Sequence, residues 1–409
     1  MKKFLTLVLA VIMAAGCCWG LTACGGKDEK VAALICLHGE GSSYDKNFID
    51  AFKAACAAKG LTEDQYTIVV DIDEDTECYD KAAELADTGY KAIFADSFGH
   101  EKFMIQAAKE FPEVQFCHAT GTAGGFALTE STEDDAPANF HNAFASIYEG
   151  RYLAGVAAGL KLLALYGEDI TADEAKIGYV GAWPFAEVKS GLTSFYLGVK
   201  SIVPNTTMEV RFTNSWYDPV AEKSAAEALI ANGAKLVSGH ADSYGVPTAC
   251  KEANIPNVFY NGTTEENTFI IASKINWQPY FEHMLDGVMK NQEIAKDYCG
   301  TLANGSVQIT ALGPAAAEGT QAVLDEVKAK LVAGEIKVFN TATFTYKGAP
   351  LTEYLADVVD DGTYTGETNV IKTEKGITYF AESEFRSAPY FDLIIDGITV
   401  GADVVSSAD

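Results

Sequence analysis

Apolar runs of strand length alternate with amphipathic segments along most of the chain. Residues 31–37, VAALICL, carry no polar face, the pattern of a parallel strand buried on both sides. A polar, glycine-punctuated stretch follows at 38–44, and from Asp45 onward Phe48, Ile49, Phe52 and Ala55 recur at helical spacing. Further strands are expected at 66–72, 92–95, 114–117, 176–181, 208–212, 235–238 and 258–260. Helices are expected at 79–86, 102–111, 149–165, 188–202, 219–232 and 245–252. This alternation predicts βαβ units and parallel sheets, arranged as two doubly wound α/β lobes that meet near residue 145 with a cleft between them. Ligands of such sheets sit beyond the carboxyl ends of the strands. Loop 38–44 therefore reads either as a ligand loop or as a plain βα turn with Ser43 or Asp45 as helix cap.

The amino terminus changes the setting. Lys2 and Lys3 precede an apolar run at 4–13 that is too short to span a bilayer, the pattern of a secretory signal. Leu21-Thr22-Ala23-Cys24 resembles the lipobox of bacterial lipoproteins, with Cys17 as an alternative. The expected protein is thus lipid-anchored through Cys24 on the extracytoplasmic face of the cell membrane, after removal of the signal peptide 1–23 and with 24–30 as tether. The most apolar later stretch, 153–165, is broken by Lys161 and glycines. A formal charge of −27 argues against nucleic acid as partner. Of the mature cysteines, Cys36 and Cys117 fall inside strand-like runs, and none forms CxxC, so Cys36, Cys56, Cys78, Cys117, Cys250 and Cys299 read as core thiols. No His or Cys pair has zinc-ligand spacing, and neither a metal nor a cofactor is expected.

A set of blocks in fixed order adds a resemblance. Asn139-Phe140, Phe144 and the run 149–158, EGRYLAGVAA, are joined by Asp45-Lys46-Asn47-Phe48, 176–181 KIGYVG, Phe195 with 198–200 GVK, 215–219 SWYDP, Gly233-Ala234 and 334–338 GEIKV. Together, over about 31–340, they resemble the basic membrane protein family of substrate-binding lipoproteins of ABC importers, several of which bind purine nucleosides. The resemblance implies a type I periplasmic-binding-protein fold: two doubly wound parallel-sheet lobes joined by a three-crossover hinge, closing on a ligand. The lobes are expected at 31–145 plus about 262–305, and at 146–261 plus about 306–340. The implied partners are a purine nucleoside or related heterocycle, the ABC permease subunits, and the membrane through the lipid.

Acidic residues that hold ribose in such nucleoside binders fall here at His38 or Gly39, at Thr120 and at Asn261, and a family lysine falls at Asn276, with Lys274 nearby. The expected ligand contacts are His38, Glu40, Tyr44, Asp45, Asn47, Ser97, Phe98, His118, Thr120, Trp183, Asp242, Tyr244, Asn261 and Lys274. Trp216 in SWYDP reads as a packing and turn residue, with Asp218-Pro219 opening a helix. This mix of rings and polar groups suits a planar, polar, neutral or cationic small molecule. A sugar, nucleobase or amino acid, or a sensory lipoprotein that presents its ligand to a membrane receptor, are the alternatives.

An enzyme is the competing class. Glu40 with His38, or His240 with Asp242, offers acid/base pairs. No nucleophile elbow, P-loop, metal motif or GxGxxG accompanies them, and the glycine-rich 121–125 has no Lys-Ser/Thr after it. No catalysis is expected. From 341 to 409 the resemblance fades. A helix at 351–359, turns at 360–362 and 396–397, and strands at 377–380 and 393–395 predict a β-rich appendage on the second lobe, too small for an independent core.

Overall fold

The computed structural model describes residues 29–122, 136–360 and 363–404. The expected signal peptide, Cys24, residues 123–125 of the glycine-rich loop and the turn expected at 360–362, but for Asp360, lie outside them. The first lobe is built by β1 (Ala32–Ile35), α1 (Ser43–Ala58), β2 (Tyr66–Val69), α2 (Thr76–Asp87), β3 (Ala92–Ala95), α3 (Glu101–Glu110), β4 (Gln115–Ala119) and β5 (Phe140–Ala145). The chain crosses into the second lobe with α4 (Ile147–Tyr166), β6 (Lys176–Gly181), α5 (Ala186–Ile202), β7 (Thr207–Phe212), α6 (Pro219–Ala231), β8 (Val237–His240), α7 (Gly245–Ala253), β9 (Asn257–Tyr260) and β10 (Phe269–Ile275). It returns to the first lobe for α8 (Gln278–Lys290) and β11 (Asp297–Gly300), then crosses back to β12 (Val307–Ile309) and α9 (Thr320–Val332). The tail adds β13 (Leu355–Asp360), β14 (Thr363–Asn369), β15 (Ile371–Glu374), β16 (Ile377–Phe380) and β17 (Ile398–Val400).

The first sheet runs β11-β5-β4-β3-β1-β2, with every pair parallel. Alternate residues of its strands point to opposite faces. Leu34 and Phe94 join Phe48, Phe52 and Phe281 of α1 and α8, while Ile35 and Ile93 join residues of α2 and α3 such as Leu85 and Met104. Both faces are thus covered, which is why VAALICL needs no polar side. The second sheet runs β12-β10-β9-β8-β6-β7-β17, with only β12 antiparallel. Helices α4 and α5 cover one face of it and α6 and α7 the other. Three crossovers, after β5, β10 and β11, form the hinge.

Three expectations change. Strand β10 pairs in parallel with β9, Phe269 opposite Asn257, so the return to the first lobe comes after Ile275 and not near 262. Residues 269–272 are buried and need neighbours on both edges, which β9 and β12 supply. The helix expected at 351–359 is in part β13, an antiparallel partner of β14. Ala356 and Val358 are both buried, a spacing of two that a strand satisfies, and hairpin pairing with the adjoining strand β14 overrides the local helical preference. The strand expected at 393–395 does not form; Ile398–Val400 instead adds a parallel edge to β7.

Candidate functional site

The loop after β1 is held by carboxylates. Leu37 N donates to Asp96 Oδ1 at 3.1 Å, and His38 N donates to Asp45 Oδ1 at 2.7 Å. Ser42 caps α1 by accepting from Asp45 N, so the cap is neither Ser43 nor Asp45 but the residue before them. Tyr44 Oη donates to the Asp96 carbonyl at 2.9 Å, fixing the ring beside β3. These bonds aim His38, Tyr44 and Asp45 at the opposite lobe.

The lobes meet there. Ser43 N and Oγ donate to the Asp242 carbonyl at 3.2 and 3.1 Å. His38 packs on Tyr217 with ring centroids 5.3 Å apart, and Phe98 lies 6.0 Å from Phe185. The enclosed space is lined by Leu37, His38, Tyr44, Asp45, Ser97, Phe98 and Thr120 from the first lobe, and by Glu187, Trp216, Asp242 and Tyr260 from the second. Its volume is about 20 Å³, room for about one water. A heterocycle therefore enters only as the lobes part. A larger hollow of about 620 Å³, with Lys91, Gln115 and Lys296 on its wall, lies wholly on the first lobe at the other end of the strands, where lobe closure encloses nothing.

Seven expected residues thus meet in one place: His38, Tyr44, Asp45, Ser97, Phe98, Thr120 and Asp242. The other seven lie elsewhere, each for a structural reason. Glu40 is exposed and pairs with Lys53 at 3.3 Å. Asn47 points down α1 to donate to the Ile275 carbonyl at 2.5 Å, a bond between the lobes at the hinge. His118 lies behind the wall, its Nε2 donating to the Ser97 carbonyl at 2.7 Å, and burial lowers its pKa to about 4, so it is a neutral support for Ser97. Trp183 stacks on Phe185 at 5.7 Å, one ring back from the mouth. Tyr244 is exposed and packs on Phe259. Asn261 folds onto its own lobe, its Oδ1 accepting from Ile275 N. Lys274 is half-buried on β10, outside the cleft lining.

Glu187, Trp216, Tyr260 and Leu37 complete the lining without having been expected there. Tyr260 carried a usable signal, since it closes an expected strand. Thr120 and Asn261 have left-handed backbones, with φ of 66° and 54°. Asparagine tolerates that conformation, but a β-branched threonine does not, so the cleft stores strain at Thr120.

The electrostatics are one-sided. Burial first, and the neighbouring Asp45 second, push the carboxyl of Asp96 well up; the same two causes lead for Asp242. Burial raises Glu187 to about 7 against the opposing pull of Arg151. Arg151 is fully buried behind the cleft, donating from Nη1 to the Gly239 carbonyl at 2.9 Å and lying 4.0 Å over the Tyr260 ring. Cys36 Sγ and the carboxylates of Asp45 and Asp96 lie within 4.8 Å of one another. Burial holds the Cys36 thiol protonated, and loop amides already occupy one oxygen of each carboxylate, so the group serves as a hydrogen-bonded support for the loop.

Two doubly wound lobes, a three-crossover hinge and a ligand-facing cleft define a type I periplasmic-binding-protein fold. Solute-binding proteins of ABC transporters from Aeropyrum pernix K1 (TM-score 0.60, 16% identity, covering 76% of this chain and 93% of that one) and Conexibacter woesei (TM-score 0.57, 19% identity, covering 75% and 98%) share it. Residues 34–342 match the family described as Bmp, ABC transporter substrate-binding protein PnrA-like, and the chain belongs to that family. A purine-binding protein of Brucella abortus is 32% identical over 238 residues, 56% of this chain and 61% of the relative. A putative ABC transporter glucose-binding protein of Haloferax volcanii is 28% identical over 260 residues, 63% of this chain and 59% of the relative. The chain thus spans about three-fifths of the length of each. No helix among the described residues is long and apolar enough to cross a membrane.

Proposed function

We propose that this protein is the extracytoplasmic capture component of an ABC importer, lipid-anchored through Cys24, and that it encloses a purine nucleoside, nucleobase or related heterocycle between its lobes. The observation that carries this reading is the composition of the cleft: the rings of Tyr44, Phe98, Trp216 and Tyr260 beside the carboxylates of Asp45, Asp242 and Glu187. Rings offer flat faces to a planar ligand, and stacking a base on an aromatic is worth about 1–3 kcal/mol. Carboxylates accept the N–H donors at a purine edge. No Lys or Arg is among the lining residues, so a phosphate would find no Lys or Arg countercharge there. The purine-binding relative points the same way.

Mass spectrometry of the co-purified ligand, with thermal shifts against adenine, guanine, adenosine, guanosine and inosine, tests the reading, because a ligand of the native state raises apparent stability with its concentration. The Haloferax relative supports one rival, a hexose held by the same carboxylates. A shift with glucose and none with any purine would replace the heterocycle and leave the capture role intact. Binding is stoichiometric, and substrate turnover on incubation would refute that. Cys24→Ser should release the protein from the membrane fraction at unchanged ligand affinity. Retention of Cys24→Ser, with release of Cys17→Ser, would move the anchor.

A further inference from the structure

The chain beyond residue 342 lies outside the family match. Most of it packs on the second lobe and the hinge. Phe339 and Phe391 stack at 4.4 Å, Lys189 pairs with Asp392 at 2.7 Å, and β17 extends the second sheet. Tyr148, in the first turn of crossover helix α4, donates its hydroxyl to the Glu382 carbonyl at 3.2 Å. The Glu382 carboxylate accepts from Tyr390 N and Phe391 N at 3.2 and 3.0 Å, closing the loop between them at its base.

The tip of that loop leaves the second lobe and reaches the first. Ser387 N donates to Asp297 Oδ2 at 2.7 Å, and the Ser387 hydroxyl donates to Asp297 Oδ1. Asn142 Nδ2 donates to Ser387 Oγ at 3.1 Å. Asn142 and Asp297 are register partners on β5 and β11, both strands of the first sheet. Asn142 also accepts from Gly121 N at 2.9 Å and donates to Gly121 O at 3.1 Å, next to Thr120 in the cleft wall. Ser387 and Asn142 are each 1% exposed.

We propose that the loop 383–389 of the C-terminal appendage is a strap across the hinge, which ties the second lobe to the first through Ser387, Asp297 and Asn142 and favours the closed cleft. Its base is fixed by Glu382, and its interior is braced by Arg386, which donates to the carbonyls of Ala388 and Pro389 at 3.2 and 3.4 Å. A loop so braced transmits displacement instead of absorbing it. Opening rotates β5 and β11 away from the second lobe and must break the bonds made by the buried Ser387. Hydrogen bonds to a carboxylate acceptor are among the stronger ones in proteins.

The test needs no ligand. Full-length Ser387→Ala loses both hydroxyl bonds, Ser387→Thr keeps them, and Lys189→Ala weakens the tail only on the second lobe. Small-angle scattering reports the open fraction, and hydrogen exchange reports the Gly121 amide. Ser387→Ala should enlarge the ligand-free particle and speed Gly121 exchange roughly tenfold, Ser387→Thr should restore both, and Lys189→Ala should change neither. Wild-type scattering and Gly121 exchange in Ser387→Ala would overturn the strap. Equal opening by Ser387→Ala and Lys189→Ala would also overturn it, because the tail would then act only through general stability.

Discussion

Replacing Glu187 with glutamine should stabilise the protein at pH 8 and leave it nearly unchanged at pH 5. Glu187 lies in the first turn of α5, where the helix dipole favours a carboxylate. Burial nevertheless raises its carboxyl from 4.5 to about 7, more than Arg151 offsets. Between those values the folded protein holds a proton that the unfolded chain releases. The stabilisation is therefore fully present below pH 4.5 and is lost as pH rises through 7. Each pH unit of that window is worth about 1.4 kcal/mol, so the wild type forfeits up to roughly 3 kcal/mol at this group by pH 8. The side chain is 13% exposed, which makes this an upper figure. Glutamine keeps the shape and does not ionise. Glu222 and Glu382 are raised in the same direction, but both proteins carry them and they cancel in the difference. Urea unfolding of both proteins at pH 5 and pH 8, at matched ionic strength, reads the effect. A variant less stable than wild type at pH 8 would show that the carboxylate is charged and compensated, with Arg151 and not burial in control.

Three further outcomes follow from the packing. Gly155 of α4 and Gly198 of α5 let these helices touch backbone to backbone; a Cβ on either would sit 3.0 Å from the other's Cα, so alanine at either should cost about 1–3 kcal/mol in thermal denaturation. Trp277 is 1% exposed and stacks 4.4 Å from Phe48 where β10 passes into α8; Trp277→Ala should cost about 3–5 kcal/mol, read from the urea midpoint. Phe98→Ala or Phe185→Ala removes the ring pair that closes the cleft mouth, worth about 0.5–1.5 kcal/mol. Stopped-flow should show dissociation of the bound ligand several-fold faster with association little changed, and an equal loss in association would mean that the rings steer entry instead.

The alternation of apolar runs with helical spacing, the buried character of 31–37 and the order of the family blocks were sufficient for two parallel-sheet lobes. So was the gathering of seven candidate residues at strand ends: His38, Tyr44, Asp45, Ser97, Phe98, Thr120 and Asp242 all stand beyond a strand and line one cavity. Strand-end position does not say where a side chain turns, however. Asn47 and Asn261 satisfy backbone groups near the hinge, and His118 supports Ser97 from behind.

What the sequence determined by itself is what short-range periodicity encodes: which segments are strands or helices, which faces are apolar, and where the loops fall. Tertiary structure alone decided that Glu187, Trp216 and Tyr260 face Asp45, that β10 belongs to the second sheet, that part of 351–359 is a strand, and that Ser387 reaches Asp297. Apart from that strand, which pairs in a local hairpin, these depend on groups far apart in the chain. Ser43 and Asp242 are 199 residues apart, and Ser387 and Asp297 are 90. Burial patterns repeat every two or 3.6 residues, so they record that a side chain is covered and carry no label for the distant segment that covers it.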